Sequence, residues 1–338
     1  MQDPRTAAAL AGTVMPAPSV RPLRVGVLTN RLSTRNRKGM AGLQDALSRH
    51  QGVRHLEVED WAQFPDAVAR LAGEDLDLLV VSGGDGTVVG LLTELRRRGS
   101  GPLPALAVLA AGNTNMIAGD VGQPGAPGRA LSRLLDAAAT GQGLRRMERR
   151  LIRIDWEGEP TRYGFFVGAV AVVRAILLTR RFLHPLGVHH GPANAAGMAL
   201  ATLRVLLGPK DGEGLLSPVP VELGFDDEPE RSADCSVMFA STLQRLLFGA
   251  TPFWGAGPGP IRTTLVRGPV DRPLLSLLPL LRGRPLQRME RSGYISRNAD
   301  RVMFAFDGPF AIDGEIYQVS RARPITLSDG GAVEFLQA

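Results

Sequence analysis

The chain has 338 residues, of which 44% are hydrophobic and 21% charged, so it can build one large or two ordinary domains and is neither a disordered tail nor a disulfide-stapled miniature. Its single cysteine, Cys235, excludes an intramolecular disulfide and a cysteine-based zinc cluster, and the five histidines show no metal-ligand spacing beyond the adjacent His189 and His190. The net charge of +6 comes almost wholly from arginine, with lysine only at Lys38 and Lys210, but aromatics at 5% do not supply a base-stacking surface, so nucleic acid is not the expected partner.

In chain order, residues 1–21 read as a disordered extension, because Asp3 and Pro4 precede the Ala-rich run and no basic region opens it. Val25, Val27 and Leu28 mark a strand, and Leu43, Ala46 and Leu47 fall at helical spacing. A helix near Asp66–Ala72, a buried strand over Leu78–Val81, a helix over Val88–Arg97, a strand over Leu106–Leu109 and a helix around Arg129–Ala138 follow. This alternation predicts a parallel sheet with helices on both faces over residues 22–145. From 146 to 338 strand-like runs dominate: Leu151–Trp156, Tyr163–Val167, Val219–Phe225, Val237–Ala240, Ile261–Val266 and Val302–Phe306. They predict a β-rich, sandwich-like second domain, with helical insertions at Pro192–Leu207 and Pro273–Leu281 and a final strand that could return to the first domain. The longest apolar run, Phe165–Val173, is too short to span a bilayer.

Val80-Val81-Ser82-Gly83-Gly84-Asp85-Gly86-Thr87 lies where a buried strand ends and a helix begins. Its glycines bring bare N–H groups close to a ligand, and the helix start adds partial positive charge, which suits phosphate oxygens. Asp85 would repel those oxygens unless a metal ion lies between them or the carboxylate accepts a proton, and both point to phosphoryl transfer. A second loop, Gly112-Asn113-Thr114-Asn115, follows the next strand and can donate to phosphate or ribose without adding charge. Both lie at carboxyl ends of predicted parallel strands, where open α/β sheets bind ligands.

These two loops, in this order, resemble the diacylglycerol kinase catalytic-domain family, which includes bacterial diacylglycerol kinases and the sphingosine and ceramide kinases. Pro309-Phe310-Ala311-Ile312-Asp313-Gly314-Glu315 is similar to the family's Asp-Gly-Glu motif, and Asn30 and Ser33 after the first strand are similar to its opening Asn-Pro-x-Ser-Gly segment. The resemblance runs from about Arg24 to the C-terminus. It implies a nucleotide-binding α/β domain, a C-terminal β-sandwich, and a cleft for ATP and lipid. It also implies Mg2+, nucleotide contacts from Asn30, Ser33, Gly83, Gly84, Asp85, Gly86, Thr87, Gly112, Asn113, Thr114 and Asn115, and a general base at Asp313 or Asp85. Asp85 is also the implied metal-linked residue, and Glu315 would orient Asp313 or reach the metal through water.

The chain departs from the family pattern in three places. Asn30-Arg31-Leu32-Ser33-Thr34 lacks the Pro and Gly, with Arg35, Arg37 and Lys38 following as alternative phosphate contacts. Gly90 stands where the family has Glu, and Glu94 lies one helical turn later. Gly255–Arg262 lacks the Asp-Gly-Leu-Leu-Asp segment that holds a structural Mg2+ in bacterial members, so that second metal site is expected to be absent. Phe165–Val170 has no acidic residue for an amino-alcohol head group, which favours a neutral acceptor such as diacylglycerol or an N-acylated sphingoid base over free sphingosine.

The expected activity is ATP-dependent phosphorylation of a lipid hydroxyl by a cytoplasmic protein peripheral to the inner membrane face. Contact with an anionic membrane surface is expected through Val173–Leu207 or Pro273–Arg284, where leucines lie beside arginines. A homodimer is left open. Two rivals stand beside this reading. NAD kinases share the Gly-Gly-Asp-Gly-Thr loop but also carry an Asn-Glu pair and a Thr-Gly-Ser-Thr-Ala-Tyr segment that this chain lacks. A non-catalytic lipid- or nucleotide-binding member of the fold is the other.

Overall fold

The computed structural model describes residues 15–16, 21–99, 101–183, 214–270 and 272–338. The expected helix over Pro192–Leu207, the His189–His190 pair and most of the 1–21 extension lie outside the described residues. The chain divides into two units: Met1–Leu151 with Arg245–Gly249 and Gly331–Ala338, and Ile152–Gln244 with Ala250–Gly330. Two long strands, β6 (Arg145–Asp155) and β16 (Ile325–Gln337), each contribute residues to both units.

After a two-residue strand at Met15–Pro16 (β1), the first unit contains β2 (Val25–Asn30), α1 (Ala41–Ser48), β3 (Arg54–Val58), α2 (Phe64–Ala72), β4 (Leu78–Gly83), α3 (Asp85–Arg98), β5 (Ala105–Ala110), α4 (Met116–Val121) and α5 (Pro127–Thr140). The strand order β3-β2-β4-β5 is parallel throughout, and Phe335 of β16 (Ile325–Gln337) adds a parallel partner at Leu106. Every residue of β2 and β4 is buried, as a parallel strand covered on both faces requires. Val25, Val27, Leu78, Val80 and Ala107 pack with Leu43 and Ala46 of α1 and Leu131, Leu134 and Leu135 of α5. On the other pleat Leu28, Leu79, Val81 and Leu106 are equally buried, and α2 and α3 bury Val68, Leu71, Val88, Leu91 and Leu92. The expected α/β architecture is thus present, with a strand at Arg54–Val58 and a short helix at α4 that the periodicity did not reveal.

The second unit is built from β7 (Arg162–Gly164), β8 (Phe166–Val170), α6 (Ala171–Leu183), β9 (Val219–Phe225), β10 (Arg231–Ser241), β11 (Ile261–Arg267), α7 (Pro273–Leu281), α8 (Gln287–Arg291), β12 (Tyr294–Ala299), β13 (Arg301–Ala305), β14 (Gly308–Ile312) and β15 (Glu315–Val319), with the end of β6 (Arg145–Asp155) and the start of β16. Its strands pair antiparallel in the order β15-β14-β8-β10-β9-β13-β16, while β11 joins β10 to β12. The 11-residue β10 changes register between Cys235 and Val237, so its first half pairs β9 and its second half pairs β8 and β11. Trp156, Phe304, Phe306, Phe310 and Leu327 fill the core, with Trp156 edge-on to Phe310 at 5.3 Å.

The expected strand Tyr163–Val167 is corrected to two strands that break at Phe165. The backbone of Phe165 is turned away from the ladder: its N–H donates to Asp313 Oδ2 at 2.9 Å, and its carbonyl accepts from Ser241 Oγ and Thr242 N–H.

Candidate functional site

Three loops of the first unit meet beyond the carboxyl ends of β2, β4 and β5. The β4 and β5 loops touch through glycine: a Cβ on Gly112 would lie 2.5 Å from the Gly84 Cα, and one on Gly84 would lie 3.1 Å from the Gly112 Cα. Such an approach of two backbones excludes a side chain at Gly112 and leaves little room for one at Gly84. Ala111 N–H donates to the Gly83 carbonyl at 3.0 Å, which fixes the height of one loop over the other. Thr87 and Val88 N–H donate to the Gly84 carbonyl, so the N–H groups of Asp85 and Gly86 precede the hydrogen-bond ladder of α3 at its positive end.

Asn115 holds the second loop closed. It sits in the left-handed region (φ 52°) as N-cap of α4, and its side chain spans the loop, accepting from Gly112 N–H and donating to the Gly112 carbonyl, both at 2.7 Å. Asn113 and Thr114, at the tip, are exposed. The loop after β2 joins through Asn30, whose Nδ2 donates to Thr87 Oγ1 at 2.8 Å and whose Oδ1 accepts from Leu32 N–H. Ser33 N–H donates to the Asn30 carbonyl, and Arg35 donates to the carbonyls of Ala110 and Ala111. Asn30, Ser33, Gly83–Thr87 and Gly112–Asn115 therefore gather in one place, while Arg37 and Lys38 are exposed beside them.

Sequence reasoning missed Asn36, which is buried in that loop. Its Nδ2 donates to the carbonyls of Asn30 and Ser82, and its Oδ1 accepts from Ser82 Oγ. A single Asn in a basic stretch carries no periodic signal, so only the contacts reveal it.

Asp85 is buried at the first turn of α3, and its two oxygens accept the N–H groups of Ile117 and Met116, each at 2.9 Å. Burial pushes its pKa above the ordinary carboxylate value, partly opposed by these backbone donors. Glu94 accepts from Arg97 at 3.1 Å, and a Cβ on Gly90 would meet Phe64, stacked on Trp61, at 3.3 Å. The face that carries Glu in the family pattern is here apolar and closely packed.

In the second unit, Asp313 and Gly314 form the two-residue turn between β14 and β15, with φ 46° and 93°. The turn aims the buried Asp313 carboxylate at Phe165 N–H, and Gly164 leaves room for it, since a Cβ there would land on Asp313 Oδ2 and the Ile312 side chain. Glu315 is exposed and accepts from Tyr317 Oη at 2.8 Å. Burial and that bond push the Tyr317 hydroxyl pKa up, and the Arg162 guanidinium lies 4.5 Å over its ring. Arg180 donates to the Gly314 carbonyl at 2.8 Å.

Glycine loops at helix starts, on the carboxyl ends of a parallel sheet, are an arrangement of an α/β domain that suits an anion. Residues 24–144 match the diacylglycerol kinase catalytic domain. Over this stretch, about a third of the chain, the sequence is thus similar to the catalytic domain of the diacylglycerol kinases. Solved structures resemble the whole fold: a diacylglycerol kinase from Bacillus anthracis strain Sterne has a TM-score of 0.60 at 12% identity, covering 94% of this chain and 97% of that one. A second protein of that strain, provisionally assigned as a diacylglycerol kinase, has a TM-score of 0.61 at 13% identity, covering 94% and 98%. A search of curated proteins finds no match. No helix among the described residues is long and apolar enough to cross a membrane.

Proposed function

We propose that the chain is an ATP-dependent lipid kinase that transfers the γ-phosphoryl group to the hydroxyl of a neutral lipid, diacylglycerol or ceramide, from the cytoplasmic side of a membrane. The observation that carries this reading is the contact of Gly84 with Gly112 inside a segment matching the family's catalytic domain. The N–H groups of Asp85 and Gly86 and the exposed Asn113 and Thr114 receive the nucleotide's phosphate and sugar oxygens.

Among the described residues no three His, Cys, Asp or Glu side chains stand together as a metal cage. Mg2+ would be brought in on the triphosphate, and Asp85, the acidic residue of the loops, would offer it only the lone pairs left over from its two backbone N–H bonds. When bound, the ion neutralises charge on the phosphates.

Asp313 accepts the proton of the lipid hydroxyl as its oxygen bonds to the γ-phosphorus and ADP departs. Asp85 is less suited to this task because both its oxygens already hold backbone N–H groups. Glu315, tied to Tyr317, shapes the rim of the turn.

Labelled ATP offered with diacylglycerol, monoacylglycerol, ceramide, a polyprenol and NAD in mixed micelles tests the reading. Label is expected in diacylglycerol or ceramide, and Asp313→Asn should lower transfer by roughly 10²-fold or more with nucleotide binding retained. Label in NAD alone, or in nothing, would overturn it.

A further inference from the structure

Helix α7 is apolar all round, but only one side of it is covered. At 100° per residue Ser276 and Leu280 share a face; Ser276 is buried, and Leu280 packs against the cluster of Val266, Met289 and Tyr294. Thr251 N–H donates to the Leu281 carbonyl at 2.9 Å, which pins the helix end to the second unit. The opposite face carries Leu274, Leu275, Leu278 and Leu281, exposed by 39%, 60%, 53% and 40%. Leu286, just beyond, is exposed by 45%. A helix hydrophobic on all sides normally belongs in a core, and a contiguous exposed apolar set with a polar rim marks an interaction surface.

The rim's charge selects the partner. From Asp271 to Arg291 the sequence holds Arg272, Arg282, Arg284, Arg288 and Arg291 against Asp271 and Glu290, a net +3. Arg282 and Arg284 are exposed immediately after the leucine face. A second copy seated here would bring the same arginine excess to the same patch. Anionic lipid phosphates complement it, and the acyl region beneath them accepts leucine.

We propose that α7 is a docking surface for an anionic bilayer, lying in the interface with Leu274, Leu275, Leu278 and Leu281 inserted and Arg282 and Arg284 at the phosphates. The inference rests on the lipid-kinase reading, since that acceptor resides in a bilayer.

The full chain is tested by co-sedimentation with phosphatidylcholine vesicles, with and without phosphatidylglycerol, at low and high salt. Leu275→Ser/Leu278→Ser and Arg282→Gln/Arg284→Gln serve as variants, with thermal melts to confirm folding and phosphoryl transfer to a short-chain, water-soluble diacylglycerol assayed in parallel. The leucine variant should lose at least tenfold in vesicle affinity, and the arginine variant should lose the preference for anionic vesicles; both should match wild type on the soluble acceptor. Wild-type vesicle affinity in the leucine variant would overturn the proposal, as would a wild-type dimer that this variant dissociates without change in vesicle binding. Vesicle binding that follows the expected pattern while wild type fails on every lipid acceptor would sink the kinase reading and leave the docking surface standing.

Discussion

The carboxylate of Asp85, the first residue of α3, lies 2.9 Å from the backbone N–H of Met116, the first residue of α4, and caps that helix. Both of its oxygens serve this purpose, and a carboxylate bonded to helix-start N–H groups gains from charge and dipole alike. The clamp orders the Gly112–Asn115 loop between the two helices. Asp85→Asn keeps one acceptor and turns an NH2 toward the other donor. It should lower stability by about 1–3 kcal/mol and weaken nucleotide binding, read by thermal melts and titration with ATP. An unchanged melt with lost turnover would instead assign Asp85 a purely catalytic role.

Gly112→Ala places a methyl group 2.5 Å from the Gly84 Cα, against backbone that no rotamer can relieve. The loops must separate, at a cost of about 1–3 kcal/mol in stability and about tenfold in nucleotide affinity. Gly84→Ala, with its nearest contact at 3.1 Å, should be milder. Equal effects from the two alanines, measured by melting and calorimetry, would argue that the contact is not what orders the site.

The loops were legible in the sequence because their glycines interrupt continuous apolar strands such as Leu78–Val81. The elements that escaped notice have a shared cause. Arg54–Val58 is an edge strand with polar residues on a half-buried face, so it lacks the apolar run of its neighbours. The six-residue α4 owes its start to Asn115 in a left-handed conformation and to Asp85, a partner 31 residues upstream. The break at Phe165 is imposed by Asp313, 148 residues away. Periodicity reads only near neighbours, so it misses both a polar edge strand held through its backbone and elements whose local structure a distant partner decides.

Gly164→Ala tests the placement of Asp313 without touching its chemistry. The added methyl would occupy the space of Asp313 Oδ2 and force the carboxylate off Phe165 N–H. Turnover should fall by about tenfold or more while ATP binding stays at the wild-type level, since displacement of a catalytic group by about an ångström is costly. Steady-state kinetics and an ATP titration make the comparison, and unaltered turnover would remove Asp313 from the mechanism.

Arg149 and Asp120 form a buried pair at 2.7 Å, with side chains exposed by only 5% and 2%. Asp120 belongs to α4, so the pair ties β6 to the helix that Asp85 caps. Arg149→Met leaves a buried carboxylate without its guanidinium and should cost about 3–5 kcal/mol, seen as a lower urea midpoint. Arg149→Met/Asp120→Leu should recover much of that loss, because the penalty comes from the stranded charge.

Asp77 lies at the amino end of β4, away from the glycine loops of its unit, and accepts from Arg24 N–H and Nε at 2.9 and 3.1 Å and from Arg21 at 2.8 Å. The Arg24 guanidinium, first among these partners, holds the Asp77 carboxyl well below its ordinary value of 3.8. A carboxyl depressed in the fold binds protons less readily there than in the unfolded chain, so its contribution is complete above pH 3.8 and is lost as pH falls through the window beneath it. The arginines are about half exposed, so the contribution is modest, about 1 kcal/mol or less. Asp77→Asn should therefore melt slightly below wild type at neutral pH, and the two melting curves should converge as pH drops below about 4. Turnover at neutral pH should not change. A gap between wild type and variant that is constant from pH 7 to pH 3 would show that the arginine contacts act through packing and not through charge.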